Sequence, residues 1–178
     1  MQARTVWRRL LGVEKTVVED VEFVEELDAT VSLVAHVRPT SRAASRCGKC
    51  GRRAGRGDGG EGRRRWRGLD FGEVLVFLEA DAPRVRCRDH GVVVAGVPWA
   101  RHGAGHTHAF DQQVAWLATQ SSKTAITVLM RIAWRTVGAI VARYWADTAA
   151  ALDQFAGLRK IGVDEISYKR GHKYLTVV

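Results

Sequence analysis

The chain has 178 residues, of which 46% are hydrophobic, 28 basic and 19 acidic, giving a formal charge of +9. That length suits one or two domains with packed cores, and no run of about eighteen apolar residues offers a membrane span. The opening stretch, Met1 to Leu11, has too short an apolar run for a secretory signal, so the sequence reads as cytoplasmic.

The positive charge is concentrated. Eleven basic residues lie between Arg38 and Arg67 against two acids, Asp58 and Glu61, while the rest of the chain has 17 of each sign. A focused arginine cluster, with Arg63, Arg64 and Arg65 at its centre, is the footprint of phosphate-backbone binding. A solvated basic loop is the plainer alternative.

In chain order, residues 17–37 predict a β-hairpin. Val31, Leu33, Ala35 and Val37 alternate with Thr30, Ser32, Val34 and His36, and Val17, Val21 and Phe23 alternate with acids before a polar turn at Glu25-Glu26-Leu27-Asp28. His36 falls on the less apolar face and reads as a surface histidine. From Pro39 to Gly62 the composition shifts to Gly, Arg, Ser and Ala, which is loop chemistry. Strand signals resume over Leu69 to Glu79 and Val85 to Cys87. Residues 96–109 are irregular, and a helical period runs from Phe110 to about Asp147.

Three cysteines make no disulfide framework, but Cys47-Gly-Lys-Cys50 and Cys87-Arg-Asp-His90 are two knuckles of equal spacing, each followed by glycine. Together they supply the four ligands of a structural Zn²⁺ site. The gap between them exceeds that of compact zinc ribbons, and an antiparallel strand pair inside it would bring the chain back. The competing readings are unrelated buried cysteines or a redox Cys-x-x-Cys with a lone cysteine, but Gly51-Arg-Arg-Ala-Gly is a poor helix start for a redox site. A module this small holds no core alone, so chelation is expected to unfold residues 31–98 and spare the helices of 110–145. His102, His106 and His108 have no supporting carboxylate or helix and read as an exposed loop.

Three helices fit between Phe110 and Trp145, with Ser121 or Ser122 as the cap of the second. Ile126, Met130, Ile132, Val137 and Ile140 have the spacing of a helix-turn-helix framework. Arg131 occupies the turn where glycine is commonest, and Ala133 stands where a capping side chain is preferred, at a cost on the order of 0.5–2 kcal/mol. With those five inward, Trp134, Arg135 and Thr136 project from the first turn of the third helix and Arg143 follows outside. Arg135 suits a guanine edge or a phosphate, and Thr136 a phosphate or a thymine methyl. An ordinary helical bundle with solvent-facing Arg and Thr is the alternative.

Residues 160–178 read as a final hairpin with Asp164 in its first strand. A mid-strand carboxylate is costly unless it meets a cation.

Taken in order, Cys47-x-x-Cys50, Arg64-Arg-Trp66-Arg-Gly-Leu-Asp70, Val85-Arg-Cys87-x-x-His90-Gly91, Ala115-Trp-Leu-Ala118, Ser122-Lys-Thr-Ala125, Trp134-Arg-Thr-Val137 and Ile161-Gly-Val-Asp164-Glu-Ile-Ser167 resemble the N-terminal portion of the insertion-sequence DDE transposases of the ISL-three family. The resemblance implies DNA transposition, with duplex DNA at the element's terminal repeats as partner, a homo-oligomer left open, and an RNase H-like catalytic domain. There Asp164 would be the first of three carboxylates holding two Mg²⁺ ions. The other two carboxylates have no counterpart among the fourteen residues after Asp164, so the chain is expected to be truncated and unable to complete that site alone. A free-standing zinc-dependent repressor or adaptor is the alternative function.

The expected fold is therefore α+β: an N-terminal hairpin (1–38), a small β-rich zinc-binding module (39–100), a three-helix helix-turn-helix (101–150) and an incomplete RNase H-like hairpin (151–178).

Overall fold

A computed structural model describes residues 3–25, 30–149, 156–157, 159, 164–169 and 173–177. The fold is mixed α and β. It opens with a short helix, α1 (Ala3–Leu10), whose Trp7 packs edge-on against Phe71. Strands β1 (Thr16–Glu25) and β2 (Val31–Pro39) then pair antiparallel, with Phe23 opposite Leu33, as the alternation predicts. The expected turn at residues 26–28 lies outside the described residues.

Strands β3 (Gly55–Arg56), β4 (Arg63–Arg67), β5 (Leu75–Asp81), β6 (Arg84–Cys87) and β7 (Gly91–Val94) follow. The strand expected from Leu69 starts only at Leu75, because Phe71 and Val74 bond each other's backbone across a tight turn in which Gly72 takes φ 58°. β4 and β5 form the antiparallel excursion that the gap between the knuckles requires, with Trp66 opposite Leu78.

β5 also lies parallel beside β2, giving a four-stranded sheet in the order β1-β2-β5-β4. The hairpin and the strands of the cysteine-bearing segment thus share one sheet. One face carries the core: Leu33, Ala35 and Val37 from β2, Val76, Leu78 and Ala80 from β5, and Trp66 from β4, closed by Trp99 and α1. The other face is covered only in part. Val34, between Glu22 and Phe77 in the pairing, is fully buried.

β3, β6 and β7 make a second, three-stranded sheet with a separate small cluster of Cys47, Val85, Cys87 and Val93.

Helices α2 (His108–Gln120), α3 (Lys123–Met130) and α4 (Trp134–Ala149) come next. Thr107 caps α2 by accepting from the Phe110 amide, and Ser122, of the two serines considered, caps α3 by accepting from Ala125. Ile126, Met130, Val137 and Ile140 are buried together with Phe110, Val114 and Leu117, and Ile132 packs at their edge. The axes of α3 and α4 meet at 102°, within the range of helix-turn-helix pairs. No described helix is long and apolar enough to cross a membrane by itself.

The chain divides into two compact units, Met1–Val141 and Ala142–Val178. In the second, β8 (Asp164–Lys169) and β9 (Lys173–Val177) pair antiparallel, with Asp164 opposite Val177. Residues 161–163 and 170–172 of the expected hairpin lie outside the described residues.

Candidate metal centre and nucleic-acid interface

Cys47 and Cys50 sit on the turn before β3, Cys87 ends β6, and His90 precedes β7. Pairing of β6 with β7, and the bridge from Cys47 to Ala95, bring the two knuckles face to face. Their four ligand atoms lie within 4.8 Å of one another. The Cys50 and Cys87 sulfurs are 3.7 Å apart, and His90 Nδ1 is 3.7 Å from the Cys47 sulfur and 3.5 Å from that of Cys87. A tetrahedron with Zn–S near 2.3 Å and Zn–N near 2.0–2.1 Å has edges of about 3.5–3.8 Å, so this Cys3His set fits zinc. All four positions come from protein, which makes the site structural rather than catalytic.

The local field favours thiolates at two positions. The hydrogen bond from His90 brings Cys87 down to about 7. The Arg52 amide and guanidinium lower Cys50, while burial pushes Cys47 up. Gly51 and Gly91 take positive φ, 69° and 64°, which lets each knuckle turn back on its metal. Arg52 then pairs with Asp89, tying the first knuckle to the second. Gly48, inside the first knuckle, lies directly under the His102 ring: a Cβ there would sit 2.2 Å from His102 Nδ1 and 2.7 Å from the Val94 carbonyl oxygen.

Strand geometry separates the three consecutive arginines. Arg63 and Arg65 point to the outer face of the sheet, where their Nε atoms each donate at 2.7 Å to Glu79. Arg64 points to the other face, stacks over Trp66 at 5.3 Å and donates to the Ala104 carbonyl at 2.7 Å. Glu79 is held below the usual carboxylate range by Arg65 and then Arg63. The three do not form one cationic patch, because adjacent residues of a strand face opposite ways.

At α4, Arg135 is exposed on the first turn and Thr136 is half-buried beside it. Trp134 is exposed too, but the Lys123 ammonium lies 4.5 Å from its ring centroid and covers one face. Arg143 is half-buried with its Nη1 enclosed. Asp164 heads β8.

One arrangement was not visible in the sequence. Arg67, 8% exposed, lies between the rings of Phe77 and Phe110 and pairs with Asp70. The second oxygen of Asp70 accepts from Arg131, which also donates to the Glu73 carbonyl at 2.8 Å. Arg131 is the left-handed residue (φ 52°) ending α3. The motif from Arg64 to Asp70 was the available signal, though nothing in it points to a residue sixty positions on. His106 also departs from expectation: it stacks on Phe110 at 4.9 Å and is half-buried.

A closed Cys3His cluster on two knuckles, followed by helices crossing near a right angle, describes a zinc ribbon joined to a helix-turn-helix. Residues 43–90 match the zinc-finger of transposase IS204/IS1001/IS1096/IS1165, and residues 97–145 match the helix-turn-helix domain of transposase family ISL3. The chain carries the zinc-ribbon and helix-turn-helix domains of ISL3-family insertion-sequence transposases.

Over 176 residues it is 64% identical to the transposase for insertion sequence element IS1557 of Mycobacterium tuberculosis, in both strain CDC 1551 / Oshkosh and strain ATCC 25618 / H37Rv. The match covers 97% of this chain and 39% of each of those proteins. No solved structure matches it.

Proposed function

We propose that this chain is the DNA-recognition part of an insertion-sequence transposase, reading the terminal repeats of its element with α4 as the recognition helix of a three-helix unit. The observation that carries this reading is Arg135, exposed on the first turn of a helix that α2 and α3 hold at 102° to its supporting helix. That placement aims a five-donor guanidinium at base edges in a major groove, with Thr136 beside it for a phosphate. Arg63, Arg64 and Arg65 lend positive potential near the interface, and their engagement with Glu79 and Ala104 makes them secondary contacts. Trp134 lies beside Arg135 on the first turn of α4. The zinc supports the ribbon and takes no part in chemistry.

Beyond this part, Asp164 is the residue that matches the first of three metal-binding carboxylates, and β8–β9 the start of an RNase H-like domain. With Mg²⁺, a complete set of those carboxylates would supply strand-transfer chemistry. An element has two ends, so a homo-oligomer acting in the cytoplasm on chromosomal DNA fits the same reading.

The test is a gel-shift with the zinc-loaded protein on duplexes carrying the element's terminal repeats and on scrambled duplexes of equal length. The repeats should bind at least about 10³-fold tighter. Equal affinity for both would overturn the reading.

A further inference from the structure

Alongside the first zinc knuckle runs an open cavity of about 970 Å³, walled by the 40–46 turn on one side and the 96–102 loop on the other. Lys15, Arg42, Arg46 and Arg101 line it beside the zinc ligand Cys47, and among the described residues no carboxylate does. Arg101 is neutralised by the buried Asp111 at 3.1 Å. Arg46 keeps its charge while donating to the Gly51 carbonyl at 3.0 Å and the Arg42 carbonyl at 3.4 Å, which fixes its guanidinium on the wall. Lys15 and Arg42 are exposed. Lys15 is held in the left-handed region (φ 52°), and its carbonyl accepts from the Thr40 amide at 2.8 Å, locking it to the same turn. Ser41 and His102 add hydrogen-bonding groups to the rim.

We propose that this groove is a phosphate seat, in which Lys15, Arg42 and Arg46 hold the sugar-phosphate backbone of the bound DNA beside the zinc knuckle. Three cations with no carboxylate partner among the described residues outweigh the single negative charge of a zinc centre with three thiolates, and in a concavity they focus potential on an anion. The volume lies at the upper end of the range for ligand pockets, which suits a stretch of backbone better than a lone anion. The zinc ribbon thereby takes a direct part in binding, since it carries the cationic wall that tracks phosphates while α4 reads bases. The proposal rests on the DNA-binding reading for its ligand, but the phosphate chemistry stands apart from it.

Two measurements test it. In salt-dependent binding of an unrelated duplex, a Lys15→Ala/Arg42→Ala double variant should lower the slope of log affinity against log salt by about 2. The ratio of affinities for repeat and scrambled duplexes should stay unchanged, and Lys15→Arg/Arg42→Lys should restore the slope. An unchanged slope in a folded double variant would overturn the proposal.

In the second measurement, amide resonances of Gly48 and Gly51 in the zinc-loaded protein are followed during titration with inorganic phosphate and, separately, with duplex. Shifts from both support the seat. Shifts with phosphate alone, from a protein that still binds duplex, would make this a site for free phosphate and overturn the backbone assignment. Shifts with neither would remove the site. A protein that binds no duplex at all refutes the DNA reading, and the phosphate titration still decides whether the groove takes an anion.

Discussion

Arg131 and Asp70, sixty-one positions apart, join the turn of the helix-turn-helix to the turn after β4 through two hydrogen bonds to a single carboxylate oxygen. The other oxygen of Asp70 holds the buried Arg67. Asp70 is therefore the common partner of one buried and one exposed arginine, and the two should respond differently to substitution.

Asp70→Ala strands Arg67, whose burial already disfavours its charge, and should cost about 2–3 kcal/mol. Arg131→Gly loses a pair whose arginine is 40% exposed, worth at most about 1 kcal/mol. It also relieves a left-handed residue at a gain of roughly 1–2 kcal/mol, so its net effect should be close to zero. Urea unfolding of both variants checks this, and equal destabilisation would mean that Arg67 is not the residue at stake.

Removing zinc should loosen residues 43–57 and 84–95 while the four-stranded sheet survives. The sheet core of Leu33, Ala35, Val76, Leu78 and Trp66 contains none of the four ligands. Hydrogen exchange with and without chelator should show protection lost around β3, β6 and β7 and retained in β1, β2, β4, β5 and the helices. This replaces the expectation that all of 31–98 would unfold, which treated residues between the ligands as dependent on them. Collapse of β1–β2 protection on chelation would restore it.

Gly48→Ala should weaken zinc binding at least about tenfold, measured by competition with a chromophoric chelator. The added methyl meets the Val94 backbone oxygen as well as the His102 ring, and only the ring can turn away. His102→Ala in the same chain should therefore rescue only part of the loss. Full rescue would show that the backbone contact is harmless.

Glu79 sets an acid limit on the outer face of the sheet. Its folded pKa is depressed, so its ion pairs contribute fully above the ordinary value of 4.5 and fade as pH falls through the lower folded value. Glu79→Gln should cost about 1 kcal/mol near neutrality, a figure kept small by the half-exposed arginines. The difference from the parent chain should shrink below pH 4.5, and denaturant midpoints at a series of pH values measure it. A difference that grows on acidification would place the stabilisation elsewhere.

Arg135→Ala should cost about 1–3 kcal/mol of discrimination at one base pair and leave affinity for unrelated duplex nearly intact. Competition binding with single-base variants of the repeat reads this directly. A uniform loss across sequences would make Arg135 a phosphate contact instead.

The Cys3His cluster and the helical core were legible in the sequence because each is written in short-range spacing. Four ligands at two equal intervals, and Ile126, Met130, Ile132, Val137 and Ile140 at helical intervals, leave few other arrangements. The parallel pairing of Leu33 with Val76 and of Ala35 with Leu78 was not legible. It joins segments more than forty residues apart, and neither strand's own pattern names its neighbour. Arg63 to Arg65 do not make the patch that their charge sum suggests for a related reason, since a sum ignores the alternation that sends Arg64 to the opposite face. Arg131 stands out in the sequence only as an unusual turn residue, because its bond to Asp70 depends on where the sheet lies.

The order β1-β2-β5-β4 has a practical consequence for anyone dividing this protein into pieces. The inherited zinc-finger segment, residues 43–90, contains β4 and β5 but not β2, and it stops before β7. Excised at those limits, it would bare the edge of β5 and leave β6 paired only with the two-residue β3, which invites strand pairing between copies. A fragment meant to behave as a monomer has to begin before Thr16 and run past Trp99, because the ribbon is threaded through the sheet rather than appended to it.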